Sequence, residues 1–132
     1  MGDLSNNFSA WEFACKCGCG EGKIDMALVS KLQEMRDALK DTIKINSGIR
    51  CEKYNAEIGG NPESEHIPDR YDGISRAADI GYSGSWKRRK LIILSHTFFR
   101  RVGIDDDFIH VGNSPRKPQD RTWLYKKKKG AL

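Results

Sequence analysis

Long apolar runs are missing from this 132-residue chain. No stretch approaches the roughly 20 apolar residues that a membrane-spanning helix needs, so no membrane span is expected. The opening Met-Gly-Asp-Leu-Ser-Asn holds no apolar signal-peptide core, and it lacks the Ser or Thr of an N-myristoylation signal. Cytoplasmic synthesis without a signal peptide is the expectation. Histidine is scarce at three residues, and cysteine and proline stand at four each. Acidic residues are scarce only at one end. Residues 113–132 carry seven Lys or Arg against one Asp, which leaves the first 112 residues at −1 of the overall +5. Positive charge confined to a tail is weak evidence for nucleic-acid binding, and the body offers no matching basic face, so no specific nucleic-acid partner is expected. The length fits one domain with one core. The reading is a domain over 1–125 and a basic C-terminal tail over 126–132.

What is there is ordered by local pattern. Ser9 followed by Glu12 fits a capping box for a single helical turn, with Phe8, Trp11 and Phe13 tucked inward. Residues 25–40 form the clearest helix: Asp25 is the N-cap, and Met26, Val29, Leu32, Met35 and Leu39 make the buried stripe. Residues 42–46 alternate Ile43 and Ile45 with polar neighbours and read as a strand. A short helix over 51–58 closes at Gly59-Gly60, and Asn61-Pro62 opens a loop. Residues 67–76 look like a polar excursion, and 77–82 like a short buried strand. Ser83 or Ser85 caps a helix from about Trp86 to Arg101, with Leu91, Leu94, Phe98 and Phe99 facing inward. Strands follow at 108–111 and 122–125. Helices and short strands in this order predict an α+β domain with one small antiparallel sheet packed with helices.

Chemistry concentrates between Ile45 and Ile80. This stretch supplies Arg50, His66 and Asp79 in loop-like contexts beside short apolar runs. The run Asp105 to Val111 adds His110, with Asp107 three residues before it. Two His and one carboxylate are the ligand set of a catalytic zinc that keeps a fourth position open for water. A further acid beside the metal serves as general base. On a regular strand, positions three apart face opposite sides, so Asp107 should sit on the turn before its strand begins. His96, mid-helix and outside any such pattern, reads as structural.

Cys15, Cys17 and Cys19 alternate with Lys16 and Gly18, and Cys51 directly follows Arg50. A structural metal, a disulfide and free thiols all remain open for these four, since three cysteines this close are not a standard zinc spacing. The four are expected to lie near one another, tying the N-terminal loop to the turn that carries Arg50.

Five motifs, I-N-S-G-x-R at 45–50, G-G at 59–60, S-x-H at 64–66, A-A-D-I at 77–80 and D-x-x-H-V at 107–111, together resemble the zinc D-alanyl-D-alanine carboxypeptidase family. That family also includes vancomycin-resistance dipeptidases and phage L-alanyl-D-glutamate endopeptidases. The phrase NFSAWEFACKCGCG is similar to the phage and prophage members. The resemblance spans roughly residues 4 to 112. It implies a Hedgehog/DD-peptidase-like fold and a zinc held by His66, Asp79 and His110. It further implies Asp107 as general base, with Arg50 and Ser64 on the substrate. The activity implied is zinc-dependent hydrolysis of peptidoglycan stem or cross-link peptides, as a D-Ala-D-Ala carboxypeptidase or an endolysin-type endopeptidase. Such an enzyme acts on the cell wall after release, or from a virion. The four consecutive lysines at 126–129 leave two readings open for the tail, a solvated end without a role or adhesion to anionic envelope polymers.

Two positions depart from the family pattern. Members usually place the aspartate seven residues after the first histidine. Here the gap from His66 to Asp79 is thirteen, so about six residues are inserted within 67–75, over the expected cleft. Gly112 stands where an aspartate is expected after His-Val, an acid that could orient the histidine from behind. Both departures support an alternative: a catalytically impaired cell-wall or virion binding module of the same fold.

Overall fold

The computed structural model describes residues 2–125, so the basic tail over 126–132 lies outside the described residues. Ser9 and Glu12 cap a one-turn helix, α1 (Ala10–Phe13), the Glu12 carboxylate accepting from the Ser9 N–H at 2.7 Å. Strand β1 (Lys23–Ile24) leads into α2 (Met26–Leu39), where Asp25 accepts from the Ala27 N–H at 3.1 Å. Then come β2 (Lys44–Ser47), α3 (Glu52–Glu57), β3 (Ile74–Ser75) and β4 (Ala77–Gly81). Helix α4 (Ser85–Phe98) is followed by β5 (Arg101–Ile104), β6 (Phe108–Gly112) and β7 (Arg121–Leu124).

Five strands form one sheet in the order β2-β4-β6-β5-β7, and β1 and β3 pair separately. Strands alternate the faces they offer, and this one fact organises the molecule. Ala78 and Ile80 of β4, Val102 of β5, and Ile109 and Val111 of β6 turn to one face. There they pack with Leu28, Val29, Leu32, Met35 and Leu39 of α2 and with Leu91 and Phe99 from α4 and its end. The Leu, Ile, Val, Met and Phe side chains among them each contribute about 1.5–3 kcal/mol relative to exposure. The other face receives Asp79, Arg101 and His110, the residues between the core positions.

The sequence reading needs correction in several places, beginning with Trp11, which is exposed rather than tucked inward with Phe8 and Phe13. The helix expected to run to Arg101 stops at Phe98, and Arg101–Ile104 is a strand. The inward stripe of α4 narrows to Leu91 and Ser95 fully buried, with Leu94 and Phe98 only partly covered. Met26 is exposed, and Leu28 instead joins Val29, Leu32, Met35 and Leu39 on the buried stripe of α2. The sheet is mixed rather than wholly antiparallel, since β7 runs parallel to β5.

The insertion folds on itself, and none of residues 67–75 is among those lining the cleft at His66, Asp79 and His110. Gly73 N–H donates to Asp69 O at 2.7 Å, closing a tight loop. Asp72 pairs with Arg76, and Asp69 with Arg116, each at 2.7 Å. β3 at its end pairs in parallel with β1. The extra residues are absorbed in a self-bonded side loop, so His66 and Asp79 still meet.

Candidate metal centre and active-site cleft

Strands β4 and β6 are antiparallel neighbours, and their register puts Asp79 directly opposite His110. His66 arrives from the loop before the insertion. Its backbone carbonyl accepts from the Arg50 N–H at 3.0 Å and from the Ser75 hydroxyl at 2.8 Å, and its own N–H donates to Ser64 Oγ at 3.1 Å. The loop histidine is therefore held as firmly as a strand residue. All three side chains are buried.

The geometry of their polar atoms is specific. Asp79 Oδ1 lies 3.1 Å from His66 Nε2 and 3.0 Å from His110 Nδ1. The remaining nitrogen of each ring is committed elsewhere: His66 Nδ1 sits 2.6 Å from Gly48 O, and His110 Nε2 sits 2.8 Å from Glu65 Oε2. A carbonyl and a carboxylate can only accept, so each of those nitrogens carries the proton in the neutral tautomer. Nε2 of His66 and Nδ1 of His110 then point lone pairs at a carboxylate oxygen. Three acceptors converge with no donor among them, which requires a positive charge between them. A proton is one solution. Burial disfavours a charged His110, yet its bonds to Asp79 and Glu65 outweigh this and raise it to about 8. Burial holds His66 below its ordinary value despite Asp79. Burial likewise opposes ionisation of Asp79, but the two imidazoles keep its carboxyl well below the usual range. A divalent cation satisfies all three atoms at once, and an N₂O donor set fits zinc. His66, Asp79 and His110 lie close enough to hold one ion.

The family comparison agrees with this chemistry. The model of the family described as Peptidase M15 matches residues 6–112. The chain belongs to the Peptidase M15 family. No curated protein matches it. M15 enzymes are zinc metallopeptidases, and the His-Asp-His group is where this member can bind its metal.

The centre opens into a cleft of about 520 Å³, lined among others by Arg50, Ser64, Glu65, Lys117, Trp123 and Tyr125. In this M15 peptidase Arg50 holds the Asp79 carboxylate: Nη2 donates to Asp79 Oδ2 at 2.7 Å, and Nε donates to Ser47 Oγ at 2.9 Å. Ser64 lines the cleft while its Oγ accepts from His66. Asp107 occupies the turn one residue before β6, where the strand geometry requires it, but it is exposed and is not among the cleft-lining residues. Asp105 caps the same turn, its Oδ2 accepting from the Asp107 N–H at 3.2 Å. His96 bonds Ile92 O and Thr122 Oγ1, a tie between α4 and β7. The four cysteines come together away from the cleft, Cys15 and Cys51 buried, Cys17 and Cys19 exposed.

Glu65 was not anticipated. Its carboxylate, almost wholly buried, accepts from His110 Nε2, from Arg101 Nε at 3.1 Å and from the Ser114 N–H at 3.3 Å. Burial opposes its charge, but the bond and charge of His110, then Arg101 and the Ser114 amide, lower it below the usual carboxylate value. A Cβ built at Gly112 would fall on this same carboxylate. The missing aspartate at 112 and the acid at 65 are thus one substitution in space: the carboxylate behind His110 comes from the His66 loop. Read along the chain, Glu65 is only the variable position of S-x-H, and the pairing of 65 with 112 appears only once β6 and the loop are folded together. Trp123 was likewise assigned only to a last strand. It packs on His110 at 5.4 Å between ring centres, and the Arg101 guanidinium lies over its ring, 5.0 Å from the centre.

Proposed function

We propose that this protein hydrolyses peptide bonds in bacterial peptidoglycan, in stem or cross-link peptides, with zinc held by His66, Asp79 and His110. The observation that carries the reading is the convergence of three acceptor atoms whose other partners are already fixed. When bound, zinc polarises the scissile carbonyl and lowers the pKa of water toward ~7. The chain supplies the rest. Gly48 O and Glu65 fix the two ring orientations, and Arg50 fixes Asp79, so the ligands are set before substrate arrives. Asp107 is the general base, taking a proton from the attacking water and returning it to the leaving amine. Arg50, Ser64 and Lys117 offer donors to the carbonyls and carboxylates of the peptide, while Trp123 and Tyr125 form an apolar wall. Action on the wall from within a phage lysis programme or a virion is the setting that the N-terminal phrase suggests.

The test is Asp107→Asn, assayed by zinc content and by mass spectrometry of digested peptidoglycan. The expected result is full zinc, native fold and a loss of about 10²–10⁴-fold in turnover. Normal turnover in that variant, with Asp105→Asn or Asp106→Asn inactive, would overturn the choice of base. The exposed position of Asp107, outside the cleft lining, favours one other reading, a wall-binding module of the same fold. Sedimentation of the wild-type protein with cell walls, without release of new amino groups, would select it.

A further inference from the structure

We propose that Cys15, Cys17, Cys19 and Cys51 form a second metal centre, a structural zinc site that fastens the N-terminal knuckle to the turn carrying Arg50. The four sulfurs lie within 4.8 Å of one another. Cys15 Sγ is 3.4 Å from Cys17 Sγ, which is 3.6 Å from Cys51 Sγ. Four thiolates at the usual Zn–S distance of about 2.3 Å in a tetrahedron stand about 3.8 Å apart, so this is the spacing of sulfurs gathered around one ion. A single disulfide would employ two of the four and leave two thiols crowded beside it.

The backbone around the cluster suits thiolates. The Cys51 N–H donates to Cys15 Sγ, the Glu21 N–H to Cys19 Sγ and the Tyr54 N–H to Cys51 Sγ, each at 3.4 Å. Amide donors to ligating sulfurs are the outer-shell partners a thiolate metal site needs. The irregular spacing that obscures the site in the sequence has a conformational answer. Cysteines two apart on an extended chain share a face but stand more than 6 Å apart. Gly18 and Gly20 take φ of +80° and +71°, left-handed turns that fold the run onto itself. Soft sulfur ligands in fourfold array select zinc over harder ions.

The consequence reaches the active site through three successive amides. Ile49 N–H donates to Phe13 O at 2.7 Å, Arg50 N–H to His66 O at 3.0 Å, and Cys51 N–H to Cys15 Sγ. An ion on Cys51 therefore anchors the residue next to Arg50, whose guanidinium holds Asp79.

The experiment measures zinc in His66→Ala/His110→Ala protein, which lacks the peptidase ligands, so its outcome is separate from the proposed hydrolysis. The expectation is about one zinc per chain, with X-ray absorption showing four sulfurs at about 2.3 Å. Adding Cys17→Ser and Cys19→Ser should remove that ion. Should the His variants fail to fold, cobalt-substituted wild type serves instead: sulfur-to-cobalt charge-transfer absorption can come only from the cysteines. A His variant without zinc, a cobalt protein without that absorption, or a disulfide found by mass spectrometry would each overturn the proposal.

Discussion

Glu65 offers the sharpest perturbation, because three donors and a missing side chain all converge on it. In Glu65→Gln the amide keeps the shape but loses the charge. His110 Nε2–H then has a weaker acceptor, and loss of an outer-shell carboxylate of this kind typically costs 10–100-fold in metal affinity, about 1.4–2.8 kcal/mol. Arg101 suffers separately. It is buried at 9% exposure, and with Glu65 neutral its guanidinium keeps the neutral Pro118 O, at 2.6 Å, and the face of the Trp123 ring but loses its ion-pair partner. Breaking a buried ion pair from one side costs about 3–5 kcal/mol, the larger effect, so thermal stability should fall more clearly than zinc affinity. Affinity is read by competition with a chromophoric chelator, and stability by calorimetry of the metal-free protein. The decisive control is Glu65→Ala combined with Gly112→Asp. A side chain at 112 starts where the Glu65 carboxylate now lies, so the double variant should recover zinc affinity that Glu65→Ala loses. Gly112→Asp alone should be worse than either, since two carboxylates would contend for one buried space. Zinc affinity unchanged in Glu65→Gln, or Gly112→Asp tolerated beside an intact Glu65, would refute the reasoning.

Two further outcomes are expected. Arg50→Lys keeps the charge but cannot bond Asp79 and Ser47 together; the lost hydrogen bond is worth about 0.5–1.5 kcal/mol, and kcat/KM on a soluble muropeptide should drop by more than that corresponds to if Arg50 also touches substrate, while a drop of equal size would confine it to holding Asp79. Removal of residues 126–132 should leave hydrolysis of a small soluble peptide unchanged and weaken binding to whole walls most at low salt, where screening is least; equal wall binding by both forms at low ionic strength would deny the tail a role in adhesion.

Much of this molecule is written locally. Asp25 and the stripe through Leu32 and Leu39 specify α2, because a cap and a 3.6-residue period are properties of one segment. The pair His66 and Asp79, with His110 beyond them, is legible because zinc needs a small set of residue types, and few histidines are present to supply it. Period-two alternation in β4 and β6 already separates Asp79 and His110 from the core residues beside them. The chain does not state locally which segments become neighbours. Strand β5 hid behind the helical pattern of α4, since four residues ending in Val-Gly-Ile gain strand character only by pairing between β6 and β7. The four cysteines look ill-spaced until two left-handed glycines fold them together. Glu65 and Gly112 are forty-seven positions apart and look like an ornament and a defect. Only packing of the His66 loop against β6 makes them one carboxylate behind one histidine, because a hydrogen bond depends on distance in space and is indifferent to which residue delivers the oxygen.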